Sequence, residues 1–214
     1  SSQSTDRVKV TMLEGWTVEQ FADELKDRLQ IDSFEFIRLS QDYDFIQGLN
    51  LDVPSLEGFL FPDTYILLKT YTEEEMLRIM VNQYQHQYHR LLKEFKPVGR
   101  MNMLEMTALA SIIQGEALYD DEMSIISSVY HNRLNNNMRL QADPTIQYII
   151  PGRSRRLFTK DLDVDSPYNT YKHKGLPPGP INNPGIHALK AAMVPAETDY
   201  LYFVSNGEGR HIFT

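Results

Sequence analysis

The fold is decided by one stretch, Ala108-Leu109-Ala110-Ser111-Ile112-Ile113-Gln114-Gly115-Glu116-Ala117. Apolar residues recur here at i, i+3, i+4, i+7 and i+11, as Met106, Leu109, Ala110, Ile113 and Ala117. At about 100° per residue these positions form one helical stripe that faces a core. Glu116 lies at the edge of that stripe, where partial desolvation favours a neutral carboxyl group that can donate a proton near neutral pH. A solvated surface charge is the ordinary alternative, and periodicity alone leaves both interpretations open.

The composition narrows the classes of function. The chain has 214 residues, enough for one substantial core and a small appendage. Its net charge of −8 argues against nucleic acid as a partner. The absence of cysteine excludes disulfides, a thiol nucleophile and a Cys-based metal site. No apolar run approaches the roughly 18 residues of a membrane helix, so we expect a soluble chain, which includes the soluble part of an anchored protein.

Turn and capping signals predict a small module before a larger domain. Residues 1–6 are small and polar, as in a disordered tail or a cloning scar. Residues 7–50 predict a small α/β appendage that contains an alternating strand from Arg7 to Met12. Thr17 and Gln20 form a capping box that begins its first helix. Residues 51–214 form the larger domain.

The larger domain is predicted to be mainly helical after a packed loop over residues 56–65, which Gly and Pro interrupt. A second capping box, Asn102 with Glu105, begins the helix that carries Glu116. Asp143 before Pro144 predicts the cap of a short helix, and Asn183 before Pro184 predicts another. The β-prone run 199–205, a glycine-containing turn and residues 210–214 predict a closing hairpin. The predicted fold class is therefore α+β.

The motif inventory leaves acid/base chemistry. The chain has no G-x-S-x-G elbow, Walker loop or H-E-x-x-H motif. The pair His86 and His89 has no third ligand at metal-binding spacing, so no metal site is predicted. A helix-borne carboxyl group with Tyr, Asn and Gln nearby suits a polysaccharide, because aromatic faces contact sugar rings and amides bind hydroxyls.

A second carboxylate is less clear. Ordinary glycosidases use two carboxyl groups about 5–9.5 Å apart. The candidates here are Asp143, Asp165 and Glu57. Helix capping would account for the presence of Asp143, and turn formation for that of Asp165, without any catalytic role. A direct role of either residue in the reaction stays open.

Several segments, in this order, resemble the MltG (YceG-like) family of endolytic murein transglycosylases. They are Leu56-Glu57-Gly58 through Phe61-Pro62-Asp63-Thr64-Tyr65, Leu109 through Glu116, Asn132-Arg133-Leu134, Leu140-Gln141-Ala142-Asp143-Pro144-Thr145, Ser166-Pro167-Tyr168-Asn169-Thr170-Tyr171, Gly175-Leu176-Pro177-Pro178-Gly179-Pro180-Ile181 and Asp199 through Val204. The resemblance covers roughly residue 56 onward. The segment from Val10 to Thr17 and the helix after it also look like that family's small LysM-like module, here begun partway.

The resemblance implies that Glu116 is the catalytic acid, because it aligns with the second Glu of the family pattern A-S-I-[IV]-E-K-E. The first Glu and the Lys of that pattern are replaced here by Gln114 and Gly115. The implied reaction cleaves the β-1,4 bond between N-acetylmuramic acid and N-acetylglucosamine inside a glycan strand, without water and without a cofactor. One carboxyl group serves as acid and then as base.

The substrate-binding candidates that follow from this resemblance are Gln141, Tyr168, Asn169, Glu57 and Pro178. Glu57 is either a buried partner that orients the site or an acceptor that stabilises a loop. The Pro178 segment either shapes the cleft or is only a structural wall. The family resemblance also implies a single N-terminal anchor in the inner (plasma) membrane ahead of this region, with this region on the extracytoplasmic (periplasmic) side, and coordination with penicillin-binding proteins.

Two other functions stay open from the sequence. One is a muramidase-type hydrolase in which Asp143 or Asp165 activates water. The other is a non-catalytic peptidoglycan-binding module, which Gln114 and Gly115 would suit.

Overall fold

The structure, a computed structural model, describes residues 6–152 and 155–214. The predicted N-terminal tail lies outside these residues apart from Asp6. The elements are β1 (Arg7–Thr11), α1 (Val18–Leu29), α2 (Ser33–Leu39), α3 (Tyr43–Gln47), β2 (Thr64–Leu68), α4 (Glu73–Glu94), α5 (Met103–Glu116), α6 (Asp120–Asn135), α7 (Asp143–Ile149), a 3₁₀ turn (Thr159–Asp163), α8 (Ile186–Met193), β3 (Phe203–Ser205) and β4 (His211–Phe213). The mixture of helices and small antiparallel sheets confirms the α+β class.

Two compact units make up the chain. The first comprises residues 1–90 and 182–185, and the second comprises residues 91–181 and 186–214. This division falls forty residues after the boundary predicted at 50/51. The reason is strand pairing, because β1 pairs antiparallel with β2, which lies beyond residue 50. A module limited to residues 7–50 stays a prediction.

The first unit is organised by the sheet and by helix α1. The capping box of Thr17 and Gln20 is confirmed at the start of α1. Phe21 and Leu25 of this helix are completely buried. The loop prediction for 56–65 is correct only as far as Asp63, since Thr64 begins β2. A short run next to Pro62 does not reveal a strand whose partner is far away in sequence.

The second unit is built around α5. The capping box of Asn102 and Glu105 is confirmed, and α6, α7 and α8 pack against the helix. Every residue from Met106 to Ile113 is buried, so α5 has no exposed face along these two turns. The predicted single apolar stripe is therefore too narrow, because this is a central helix that is surrounded on all sides.

The two predicted Asx caps are wrong. Ala142 is the N-cap of α7 and makes no side-chain cap bond, while Asp143 is already in the helix. Asn183 uses its side chain inside the first unit, where its Oδ1 accepts hydrogen bonds from the N–H groups of Gly58 and Leu60. A polar residue before Pro predicts a turn or a cap equally well, and distant partners decide between them here.

The closing hairpin is confirmed, with β3 and β4 antiparallel and Val204 opposite Ile212. Within the described ranges, none of the helices combines the length and the hydropathy that crossing a bilayer requires.

Candidate active site

Glu116 is the last residue of α5 and is partly buried. The chain leaves the helix at Ala117, which adopts an extended conformation, and α6 begins three residues later at Asp120. The C-terminal end of a helix carries partial negative charge, so it disfavours an anionic carboxylate. The local structure thus presents a carboxyl group at a position that favours its protonated form.

Tyr130 of α6 is the direct partner of Glu116. Its hydroxyl donates a 2.9 Å hydrogen bond to Glu116 Oε1, and its side chain is 1% exposed. Burial raises the pKa of Glu116 to about 7, while the hydrogen bond from Tyr130 lowers it. At this pKa a proton can be both given and taken near neutral pH, as a group that acts first as acid and then as base requires.

Asp143 and Tyr171 border the same carboxyl group. The charge of Asp143 raises the pKa of Glu116, after the larger effect of burial, whereas a hydrogen bond with the Asp143 backbone lowers it. The Tyr171 hydroxyl donates to Asp143 Oδ1. Asp165, the other predicted aspartate, is exposed, and among the described residues no hydrogen bond or ion pair joins it to Glu116 or Tyr130. Of the two predicted aspartates, the site therefore includes Asp143.

Gln141 is exposed and adopts a left-handed conformation with φ of 51°. Its N–H donates to the carbonyl of Thr170 at 3.1 Å. A non-glycine residue in this region costs about 1 kcal/mol, and such residues concentrate at functional sites. Gln141 lies two residues before Asp143, and its role as a sugar-binding amide stays a prediction.

Tyr168 and Pro178 belong to neighbouring surfaces. The Tyr168 ring lies 5.2 Å from the ring of Tyr148, and both are partly exposed. The Tyr168 hydroxyl lies so close to Gly179 that a Cβ at this glycine would be 3.2 Å away. Pro178 is exposed and lines a groove of about 510 Å³ together with Leu104 and Leu176. These residues offer aromatic and apolar surface for a sugar chain.

Asn169 is 0% exposed. Its Nδ2 donates to the carbonyls of Leu162 and Val164 at 2.9 and 2.8 Å, and its Oδ1 accepts from the N–H of Tyr171. Both amide N–H groups and the amide oxygen make bonds inside the loop, which supports a role for Asn169 in holding the loop that carries Tyr168 and Tyr171. Its sugar-binding role stays a prediction.

Glu57 belongs to the first unit. Its carboxylate accepts from the N–H of Val18, at the start of α1, and from Asn183 Nδ2, both at 3.2 Å. Burial raises its pKa to about 8, and the hydrogen bond from Val18 lowers it. These contacts support the alternative that Glu57 is an acceptor that stabilises a loop.

Sequence reasoning missed Tyr130 and Arg133. Tyr130 belongs to no catalytic motif, although a buried tyrosine hydroxyl needs a hydrogen-bond partner and thus signals a polar neighbour. Arg133 follows it by one helical turn and is 7% exposed. An arginine that faces the core is the signal that could have found it.

The fold and the site define an α+β protein with a protonatable carboxyl group at the end of a buried helix, bordered by tyrosines. The chain belongs to the YceG-like family, whose model matches residues 1–214.

Named relatives agree with this membership. The chain is 34% identical over 221 residues to an endolytic murein transglycosylase of Bacillus subtilis (strain 168), covering 96% of this chain and 61% of that protein. It is 28% identical to an endolytic murein transglycosylase of Streptococcus pneumoniae serotype 2, covering 92% of this chain and 40% of that protein. The chain thus spans between two fifths and three fifths of the length of these relatives.

A solved structure has the same fold. The crystal structure of a YceG-like protein from Listeria monocytogenes superposes with a TM-score of 0.85 at 33% identity, covering 96% of this chain and 72% of that one.

Proposed function

We propose that this chain is a lytic transglycosylase that cleaves peptidoglycan inside its glycan strands. The observation that carries the proposal is the pair of Glu116 and Tyr130, in which a partly buried carboxyl group at a helix end accepts one buried hydroxyl. Its pKa of about 7 and the names of the relatives support the same reaction.

In the proposed first step, protonated Glu116 donates its proton to the glycosidic oxygen while the bond from that oxygen to C1 of N-acetylmuramic acid breaks. The leaving N-acetylglucosamine thereby receives a free 4-hydroxyl group. Positive charge develops at C1 of the muramyl ring, as in other glycosidic cleavages.

In the second step, the Glu116 carboxylate takes the proton of the muramyl 6-hydroxyl while O6 bonds to C1. The product is a 1,6-anhydromuramyl end, no water is consumed, and Glu116 returns to its protonated form. Because the attacking group belongs to the substrate, this route needs no second carboxylate.

The surroundings of Glu116 support substrate binding on the same unit. Gln141 and the ring of Tyr168 are proposed to contact sugar hydroxyls, acetamido groups and sugar faces, and the Leu176 to Pro180 segment is proposed to shape the cleft. A muramidase-type hydrolysis is the second candidate function, because the Asp143 carboxylate is near enough to raise the pKa of Glu116.

Mass analysis of products from purified, uncrosslinked glycan strands tests the reaction. We expect internal cuts that end in 1,6-anhydromuramyl groups, and their loss in Glu116→Gln. Glu197→Gln, at an exposed glutamate, is the matched control and should cleave like the parent chain. Products heavier by one water would overturn the transglycosylase in favour of the hydrolase. Binding without turnover would favour a binding module.

The location and partners are part of the same proposal. Peptidoglycan lies outside the plasma membrane, so we place this region on the extracytoplasmic side, held by an N-terminal single-pass anchor in the whole protein. The family resemblance supports this anchor, a LysM-like role for residues 7–50 and coordination with penicillin-binding proteins. Protease treatment of intact spheroplasts that express the whole protein should degrade this region, and its protection would contradict the placement.

A further inference from the structure

Arg133 is a buried cation, and its hydrogen bonds within the described part of the chain go to backbone carbonyls. Its Nε donates to the carbonyl of Leu201 at 2.6 Å, and its Nη1 donates to the carbonyl of Leu140 at 2.7 Å. The guanidinium also lies 5.0 Å from the ring centroid of Tyr202. Within residues 6–152 and 155–214, no carboxylate lies within ion-pair distance of it. A buried charge without an ion pair is costly, so it calls for an explanation.

The position of Arg133 relates it to Glu116. It lies three residues after Tyr130 on α6, and residues at this spacing are neighbours on one helix face. Tyr130 in turn holds the Glu116 carboxyl group. Three nearby groups change the pKa of Glu116: Tyr130 and Arg133 from α6, and Asp143 from α7. Tyr171, in the loop after α7, also interacts with the charge of Glu116.

The two carbonyls that Arg133 binds belong to segments that continue toward this carboxyl group. The Leu140 segment leads to Asp143, whose backbone makes a hydrogen bond with Glu116. The Leu201 segment leads to Phe203, whose ring packs edge-on against Tyr130 at 5.8 Å. Arg133 therefore fixes both segments while its positive charge stays in the protein interior.

We infer that Arg133 is a positioning residue whose fixed positive charge stabilises the carboxylate of Glu116 after its proton is donated. This inference rests on the proposed function. A carboxylate that forms in a partly buried site needs a compensating charge, and a fixed guanidinium supplies it without a competing acid. The alternative is that Arg133 only holds the two backbone segments together through its hydrogen bonds to their carbonyls.

A pH titration of Glu116 without substrate distinguishes an electrostatic role of Arg133 from a purely structural one. The ¹³C signal of the Glu116 carboxyl group, assigned by its absence in Glu116→Gln, is followed against pH in the parent chain, Arg133→Gln, Arg133→Lys and Arg139→Gln. Since the charge of Arg133 lowers the pKa of Glu116, we expect the midpoint to rise in Arg133→Gln and to stay near the parent value in Arg133→Lys. Arg139→Gln, an exposed arginine with the same change in net charge, should leave the midpoint unchanged.

Glycan cleavage provides the second measurement. The fall of kcat/KM at high pH, which follows deprotonation of the acid, should move to higher pH in Arg133→Gln. Its low-pH plateau should drop about tenfold, because a weaker acid transfers its proton more slowly. Circular dichroism and thermal unfolding check that each variant folds. If Arg133→Gln does not fold, Tyr202→Ala replaces it: this half-exposed ring covers the guanidinium, and its removal should let water screen the charge and raise the same midpoint.

The outcomes are distinct. An unchanged midpoint in the folded neutral variant, or an equal rise in Arg139→Gln, would overturn the role of Arg133 even if the chain cleaves glycan. A raised midpoint with no products from any variant would retain the charge effect and reject the proposed function.

Discussion

Glu57 in the first unit and Glu116 in the second have pKa values that burial raises to about 8 and about 7. Glu57 is bonded to the N-terminal end of one helix, whereas Glu116 stands at the C-terminal end of another. Glu57 accepts from Val18 at the beginning of α1, where backbone N–H groups attract an anion, whereas Glu116 ends α5, where carbonyls disfavour one.

The difference between them lies in their partners. Glu57 accepts from the backbone N–H of Val18 and from the amide of Asn183. Asn183 also accepts from the N–H groups of Gly58 and Leu60, so the Glu57 carboxyl group completes the packing of a loop. Glu116 accepts a tyrosine hydroxyl and has the exposed residue Asp143 beside it. A pKa near neutrality therefore does not identify a catalytic acid unless the surroundings leave room for a substrate.

The largest expected effect separates the two glutamates by activity. Glu116→Gln should reduce glycan cleavage about a thousand-fold, because Gln cannot donate or accept the proton. Glu57→Gln should retain cleavage within about threefold, since a neutral amide reproduces the protonated form that predominates below pH 8. Release of soluble glycan fragments at pH 6 measures both. Comparable losses in two folded variants would show that Glu57 also belongs to the active site.

The next effect concerns stability. The folded-state pKa of Glu57 is about 8 and its ordinary value is 4.5, so between these values the folded protein holds a proton that the unfolded chain has lost. The free energy of unfolding should therefore fall as pH rises through this window. Glu57→Gln should remove about 2–4 kcal/mol of that fall between pH 5 and pH 9.

Urea unfolding of both proteins at pH 5, 7 and 9 measures this difference, and the contribution of Glu116 cancels because both proteins contain it. Asp23→Asn, at an exposed position of α1, is the control that should leave the pH dependence as it is. Parallel curves for Glu57→Gln and the parent chain would mean that the burial of Glu57 has no such cost.

The smallest effect tests the partner of Glu116. Tyr130→Phe removes the hydrogen bond that lowers the pKa of Glu116, so the high-pH fall of kcat/KM should move to higher pH. The plateau should drop about fivefold, which corresponds to one hydrogen bond of about 1 kcal/mol. A pH series of cleavage rates measures both. Tyr200→Phe, at an exposed tyrosine, should reproduce the parent profile. An unshifted Tyr130→Phe profile would show that the Tyr130 hydroxyl has no effect on the pKa of Glu116.

Local signals carried the sequence predictions that succeeded. Each capping box, beginning at Thr17 or Asn102, is contained in four consecutive residues and marks the start of a helix. The apolar run before Glu116 marks the central helix. These patterns need no knowledge of distant residues, which explains why the helices and the closing hairpin were predicted.

The features that could not be predicted from the sequence depend on contacts between segments that are distant along the chain. The pairing of β1 with β2, the bond from Tyr130 to Glu116 and the occupied amides of Asn169 and Asn183 all depend on tertiary packing. An Asn before Pro or in a polar loop has the same local appearance whether its amide faces a substrate or a buried carbonyl. The structure is needed to separate a sugar-binding amide from a structural one.

The enclosure of α5 has an evolutionary consequence. From Met106 to Ile113 each side chain is in the interior, so a change of volume at any of these positions disturbs several neighbours at once. Gln114 and Gly115, where the chain departs from the family pattern, lie where the helix reaches the surface again at its C-terminal end, as it does at Glu105 in its first turn. Toward the acid, sequence drift and directed evolution are thereby directed to the last turn, where a substitution alters the surroundings of Glu116 without loosening the buried part of the helix that holds it.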